Sequence, residues 1–311
     1  MTLIQLSAPM SVTDGGLETT LVFHQGIDLP DFAAFPLLDT QAGRAALASY
    51  YEPYLDLARR LAVPVVVDTP TWRANPDWGA RLGYDAHELD AVNRRAVEFV
   101  RKLATDSGRA PVEHVINGVI GPRGDGYTVG ETMSASEAAA YHELQAHAFA
   151  EAGAEMITAV TMTYADEAIG VVRAANAAGI PVVISFTVET DGRLPSGETL
   201  GDAITRVDDS ADAAPVYYMI NCAYPTHFVE QLTPGADWLM RIKAIRANAS
   251  RLSHEELDEA PELDRGDVAD LAEWYRRLNG ILPDLRVVGG CCGTDDEHVT
   301  AIAEALAPTR P

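Results

Sequence analysis

Lysine is nearly absent from this chain. Lys102 and Lys243 are the two occurrences, and 23 Lys and Arg stand against 46 Asp and Glu for a formal charge of -23. Nucleic-acid backbones and anionic membranes are held by basic residues neutralising negative charge, so this balance opposes both. The chain is therefore read as having no nucleic acid and no membrane among its partners. Long apolar runs are missing too. No segment approaches the roughly 18 uninterrupted apolar residues of a membrane span, and the start, MTLIQLSAPMSV, has no cationic stretch ahead of an apolar one. The expectation is a soluble, cytoplasmic protein. Cysteine is scarce, with 3 in 311 residues. An odd handful in a chain this long builds no disulfide framework and fits a reducing compartment. Nothing here specifies self-association, although a homo-oligomer is compatible with it.

What is present is an alternating pattern. Short β-branched runs at 10–13, 63–68, 112–119, 156–160, 182–186, 216–220, 239–245 and 285–288 are separated by longer helical stretches, the signature of repeated βα units around a parallel sheet. Helix starts are marked by a capping residue followed three positions later by Glu: Asp85 with Glu88, Ser134 with Glu137, Ser253 with Glu256 and Thr294 with Glu297. Gly108, Gly153 and Gly179 mark helix ends. Eight units predict a closed α/β (β/α)8 TIM barrel forming one domain over 1–311, with an acidic, solvated helical insertion around 250–270. An open doubly wound sheet is the weaker alternative, because the first strand leads into DGGLETT and not into a G-x-G-x-x-G turn.

Barrel active sites gather where strands end, and all three cysteines fall at such ends. VYYMINC finishes the sixth strand at Cys222, and LRVVGGCCGT finishes the eighth at Cys291 and Cys292. One strand separates these two in a closed barrel, so their thiolates can converge on a single ion. Zinc binds sulfur at about 2.3 Å with four ligands, and three protein ligands leave one position open for chemistry. A lone cysteine is more often a small buried hydrophobe. Three of them beside Gly289, Gly290 and Gly293, which clear side chains away from the pair, point instead to Zn2+ held by Cys222, Cys291 and Cys292.

DGGLET near the start, NCAYP at 221–225, GGCCGT at 289–294 and SFTVETDGRLPSGETL at 185–200 together resemble the homocysteine S-methyltransferase family over nearly the whole chain. The resemblance implies a zinc barrel in which a substrate thiol takes the fourth metal position. It also implies a methyl group arriving from a small onium donor such as S-methylmethionine, S-adenosylmethionine or a betaine-type compound, with homocysteine giving methionine. A zinc-bound thiol is deprotonated and nucleophilic, and a neutral leaving group needs no general acid. Asp14 matches the acid that binds the amino group of homocysteine, and Gly15 and Gly16 offer backbone N–H groups to its carboxylate. Glu18, Thr161 and Asn221 complete the substrate-side candidates.

One departure stands out. Family members place a Glu followed by Thr at the end of the fourth strand, whereas MITAVTMTYADEA leaves Val160 or Thr161 there. Either Glu189 or Glu18 substitutes, or the acceptor is a different thiol. The competing class is a non-catalytic zinc-binding or thiol-binding barrel. A cobalamin-dependent enzyme would need further modules, so the expected donor is small and preformed. HELQAH at 142–147 spaces its histidines five apart, on different helix faces, and is read as surface. GPRGDGY at 121–127 lacks a Lys-Ser/Thr pair and is read as a loop lining the barrel mouth. Tyr50 and Tyr51 are read as packing residues.

Overall fold

The computed structural model describes residues 3–106, 109–210 and 214–307. Eight parallel strands close into a barrel in sequence order: β1 Ser11–Val12, β2 Val65–Asp68, β3 His114–Ile120, β4 Met156–Met162, β5 Val182–Phe186, β6 Tyr218–Asn221, β7 Ile242–Ala247 and β8 Val287–Gly290. Closure comes from β1 against β8, with Ser11 opposite Val287 and Val12 opposite Val288. The expected TIM barrel is thus the observed one. The β7 run begins three residues later than its apolar character suggests, because Asp237–Arg241 winds into a 3-10 turn first. β4 and β8 run two residues further than expected, to Met162 and Gly290.

Alternation along the strands sorts the barrel into layers. Val66, Val115, Met156, Val183, Met219, Ala244 and Val287 point inward and pack with Leu3 and Tyr217 into an apolar layer at one end. Their outward neighbours, among them Val65, Ile116, Ile157, Ile184, Ile220, Ile245 and Val288, pack under the helices. Two residues further along each strand, the inward positions are Asp68, Asn117, Thr158, Ser185, Asn221, Arg246 and Gly289. The six of these that carry polar side chains are all buried. Burial without hydrogen bonds would cost several kcal/mol, so this layer is cross-linked. Asn117 donates to Asp68 Oδ1 (2.6 Å), Thr158 donates to Asn117 Oδ1 (3.1 Å), and the Ser185 hydroxyl bonds Asn221. This polar belt is the floor on which the site stands.

Capping boxes form at Asp85, Ser134 and Ser253 as the spacing predicts. The last one shifts by a residue. Asp295 caps the helix Asp296–Leu306 with His298 at N3, while the Thr294 hydroxyl donates to Cys291 O at 2.6 Å within the turn. Gly153 and Gly179 adopt positive φ (82° and 71°) where helices end, and Gly108 lies outside the described residues. In the acidic segment only His254–Asp258 is helical before the next helix, Val268–Ile281, begins, and Leu257 faces a cavity rather than open solvent.

Gly118 of β3 faces outward, where an added Cβ would stand 2.4 Å from the buried ring of Phe149. Gly118→Ala is expected to lower the unfolding free energy by about 1–3 kcal/mol through overpacking. Phe149→Leu in the same chain should return part of that loss, giving a non-additive double-mutant cycle in urea denaturation. Additive effects would show that the contact is not the cause.

Candidate metal centre

Cys222 follows β6 with φ 53°, a left-handed conformation that costs a non-glycine residue roughly 1–2 kcal/mol and turns its side chain across the barrel mouth. The conformation is held by Cys222 N–H donating to Arg246 O (3.1 Å) and by His254 Nε2 on Cys222 O (2.6 Å). On β8, Cys291 N–H donates to Ala247 O (2.9 Å) and Gly293 turns at φ 77°. Gly290 is required, since a Cβ there would meet Thr294 Oγ1 at 2.0 Å.

The three sulfurs lie within 4.8 Å of one another. Cys222 and Cys291, with Cα atoms 5.4 Å apart, are disulfide-bonded, and Cys222 Sγ is 3.8 Å from Cys292 Sγ. Two sulfurs bound tetrahedrally at about 2.3 Å stand about 3.8 Å apart, so the donor set fits one zinc-sized ion once the disulfide is reduced. Burial pushes the Cys292 thiol up to about 11, which leaves it protonated at neutral pH unless a cation offsets that burial.

Beside the sulfurs is a cavity lined by Asp14, Glu18, Asp68, Thr69, Val160, Thr161 and Arg246. Gly15 and Gly16 also line it, but Gly16 N–H already donates to Thr294 O (2.9 Å), which leaves Gly15 alone as a backbone donor candidate. Asn221 does not face the cavity. It lies fully buried beneath it, accepting from Thr161 N–H (3.0 Å) and donating to Thr161 Oγ1 (3.0 Å). β4 shifts register between Ala159 and Met162, and Thr161 has φ 64°, an outlier for a β-branched residue. The strained tip presents Val160 and Thr161, with no carboxylate. Glu189 is also elsewhere, with its Oε1 3.2 Å from His254 Nδ1.

Arg246, at the tip of β7, was not anticipated from the sequence. Its guanidinium pairs with both Asp14 and Asp68, and Nε donates to Gly290 O (2.9 Å). Tyr50, beyond packing, donates to the other Asp14 oxygen (3.0 Å), and Tyr51 donates to Asp68 O (2.7 Å). Burial, opposed by Arg246, raises Asp14 from 3.8 to about 6, and burial raises the half-buried Glu18 to about 7. A second cavity of about 320 Å3 adjoins the first at Cys292. It shares Phe32, Trp72, Tyr127 and Cys292 with the first and adds Asp125, Asp258, Glu262 and Asp264.

Three cysteine sulfurs gathered at the strand tips of an eight-stranded parallel barrel define the class, a (β/α)8 protein with a sulfur cluster at its mouth. The family profile described as homocysteine S-methyltransferase matches residues 11–306, and the chain belongs to that family. Betaine–homocysteine S-methyltransferase 1 of Rattus norvegicus is 25% identical over 265 residues, covering 79% of this chain and 61% of that protein. Methionine synthase of Mycobacterium tuberculosis is 29% identical over 254 residues, covering 78% of this chain and 20% of that protein. The chain thus spans about three fifths of the first relative and a fifth of the second. Among solved structures, homocysteine methyltransferase MmuM from Escherichia coli superposes with TM-scores of 0.75 in its oxidized form and 0.72 in its metallated form. Identity is 20% and 19%, with 96% of both chains covered, and the likeness is one of fold.

Because the folded pKa of Asp14 is raised, the native state takes up a proton between 3.8 and about 6 that the unfolded chain does not. The contribution of Asp14 to stability therefore falls as pH rises through that window. Arg246→Gln removes the opposing charge and extends the window upward. The variant should lose about 3–5 kcal/mol at neutral pH in urea unfolding, with a smaller deficit at about pH 5. An equal deficit at both pH values would show that uncompensated charge is not the cause.

Proposed function

We propose that this chain is a zinc-dependent methyltransferase that moves a methyl group from a small onium donor to a thiol, with homocysteine giving methionine as the leading reaction. The observation that carries the reading is the convergence of Cys222, Cys291 and Cys292 on one cavity, with Cys292 shared by a second. Zinc bound there would supply deprotonation of the acceptor thiol at neutral pH, which its ordinary pKa near 8.5 does not allow. The rest falls to the chain. Asp14 and Asp68 carry two negative charges against the single positive charge of Arg246, so the inner cavity keeps an excess that attracts an ammonium group. Glu18, which lines the same cavity, is the acid available in place of the carboxylate absent from β4, and the Gly15 N–H is the candidate donor to the acceptor's carboxylate. The second cavity is lined by the aromatic residues Phe32, Trp72 and Tyr127 and by four carboxylates, Asp125, Asp258, Glu262 and Asp264, against one guanidinium, Arg73, a balance that suits a sulfonium or quaternary ammonium group. Holding donor and acceptor in line across the sulfurs can supply several kcal/mol of the barrier.

A second reading rests on the Asp14 oxygens, which Arg246 and Tyr50 already occupy. With Val160 at the β4 tip, the acceptor would then be a thiol without an α-amino group. Incubating reduced, zinc-loaded protein with each thiol and with S-methylmethionine, S-adenosylmethionine or betaine, then analysing products by mass spectrometry, separates the readings. Methionine formation supports the first. Methylation of simple thiols with homocysteine ignored supports the second, and no transfer to any thiol would favour a non-catalytic barrel.

Two variants sharpen the test. Protein purified under reducing conditions without chelator should carry close to one zinc per chain, and Cys222→Ser should lose most of it. Stoichiometric zinc in a triple Cys→Ser variant would sink the metal assignment. Asp14→Asn should raise the KM for homocysteine, by an amount equivalent to about 1.5–3 kcal/mol if a charge-assisted hydrogen bond to the ammonium is lost. An unchanged KM would argue against that pose.

A further inference from the structure

His142 and Glu167 form a buried pair that lines neither cavity. The five-residue spacing in HELQAH does send its histidines to different faces, but only His147 reaches solvent, and the His142 side chain is fully buried. His142 lies on the helix Ala135–Glu151 and Glu167 on the helix Ala165–Ala178. Gly170 lets these helices approach, since a Cβ there would stand 2.3 Å from that of Ala138, one turn from each member of the pair. His142 Nε2 is 3.0 Å from Glu167 Oε1, and the same oxygen accepts the Arg123 N–H at 2.7 Å. That contact places the imidazole proton on Nε2 and leaves Nδ1 buried with no partner among the described residues. An apolar residue would pack there without that cost, so the pair is explained by what it holds.

It holds the segment 121–133, which runs from the end of β3 to the cap of the next helix and carries Asp125 and Tyr127 into the wall of the second cavity. Glu167 fixes the start of the segment through the Arg123 N–H. Tyr164, hydrogen-bonded to Glu167, fixes its last residue by accepting the Met133 N–H (3.0 Å). Between these points the Gly124 carbonyl receives Arg73 (3.2 Å) and the indole N–H of Trp78 (3.2 Å). We propose that His142 and Glu167 are positioning residues for the methyl donor: one carboxylate, oriented by one imidazole, sets both ends of the segment and with them the placement of Asp125 and Tyr127 in the cavity wall. The inference rests on the reading of that cavity as the donor's. Supporting contacts of this kind decide whether reacting groups are held within about 0.5 Å of alignment. Asn75 also holds Pro122 O (3.0 Å), so loss of the pair shifts the segment without freeing it.

The test compares reduced, zinc-loaded wild type with Glu167→Gln, His142→Phe and His142→Gln, using whichever of S-methylmethionine, S-adenosylmethionine and betaine the wild type accepts best. Glu167→Gln and His142→Phe should raise the donor KM about tenfold, with the acceptor KM and the zinc content within about twofold of wild type. His142→Gln, whose amide N–H can stand in for Nε2, should recover most of that loss. Acrylamide quenching of tryptophan fluorescence, measured without substrates, should increase in the first two variants, because the Trp78 indole bonds to the displaced Gly124 carbonyl. Folded variants with a lower Tm but unchanged donor KM and quenching would overturn the proposal and leave the pair purely structural. A raised acceptor KM with an unchanged donor KM would overturn the assignment of the second cavity to the donor, and the proposal with it. No transfer by wild type would overturn the function reading itself. Should Glu167→Gln and His142→Phe fail to fold, Tyr164→Phe, which cuts the tie to Met133, is expected to raise the donor KM in the same direction, and an unchanged value would count against the proposal.

Discussion

The guanidinium of Arg246 ties together the ends of three neighbouring strands. It reaches Asp14 just beyond β1, Asp68 at the end of β2 and the Gly290 carbonyl at the end of β8, while the carbonyl of the same residue receives the Cys222 N–H beyond β6. Two carboxylates and one guanidinium taken out of water are stable only as a set, because any one left alone is an uncompensated buried charge. The same set fixes the geometry of the thiols. Gly290 precedes Cys291, and Cys222 hangs from the Arg246 backbone, so the two cysteine-bearing turns share one anchor.

Above the apolar layer, alternation brings one polar side chain inward from each of β2 to β7. The reason is local: a parallel barrel is packed in layers of inward residues, and the layer nearest the strand tips borders the site. Polar groups there satisfy one another sideways and leave their upper faces for the cavity. Thr161 shows the cost of this arrangement. Its positive φ is held by Asn221, which spans from β6 to β4 with two hydrogen bonds. Strain at a strand tip persists only when neighbours over-determine it, and here they do.

The barrel, its strand order and the convergence of three cysteines were legible because they rest on spacing. Eight β-branched runs and cysteines at two strand ends survive errors of two residues in any boundary. The partners of those cysteines were not legible. Arg246 lies 232 residues from Asp14 and 178 from Asp68, and Tyr127 lies 95 from Cys222, so no local pattern links them. A signal did exist in part. Asp68 and Arg246 each sit two positions beyond an inward apolar residue, Val66 and Ala244, and a buried charge on that face must find a counter-charge across the barrel. The shift of the final cap from Thr294 to Asp295 has a similar origin, since the turn that aims Cys291 claims the threonine hydroxyl.

X-ray absorption at the zinc edge of the reduced, metal-loaded protein counts the sulfurs around the ion directly. Three sulfurs at about 2.3 Å are expected in the resting protein, and four sulfurs after a methyl-accepting thiol is added. Fewer than three sulfurs at rest, or a sulfur count that does not change when that thiol binds, would contradict a centre built from Cys222, Cys291 and Cys292 to receive it.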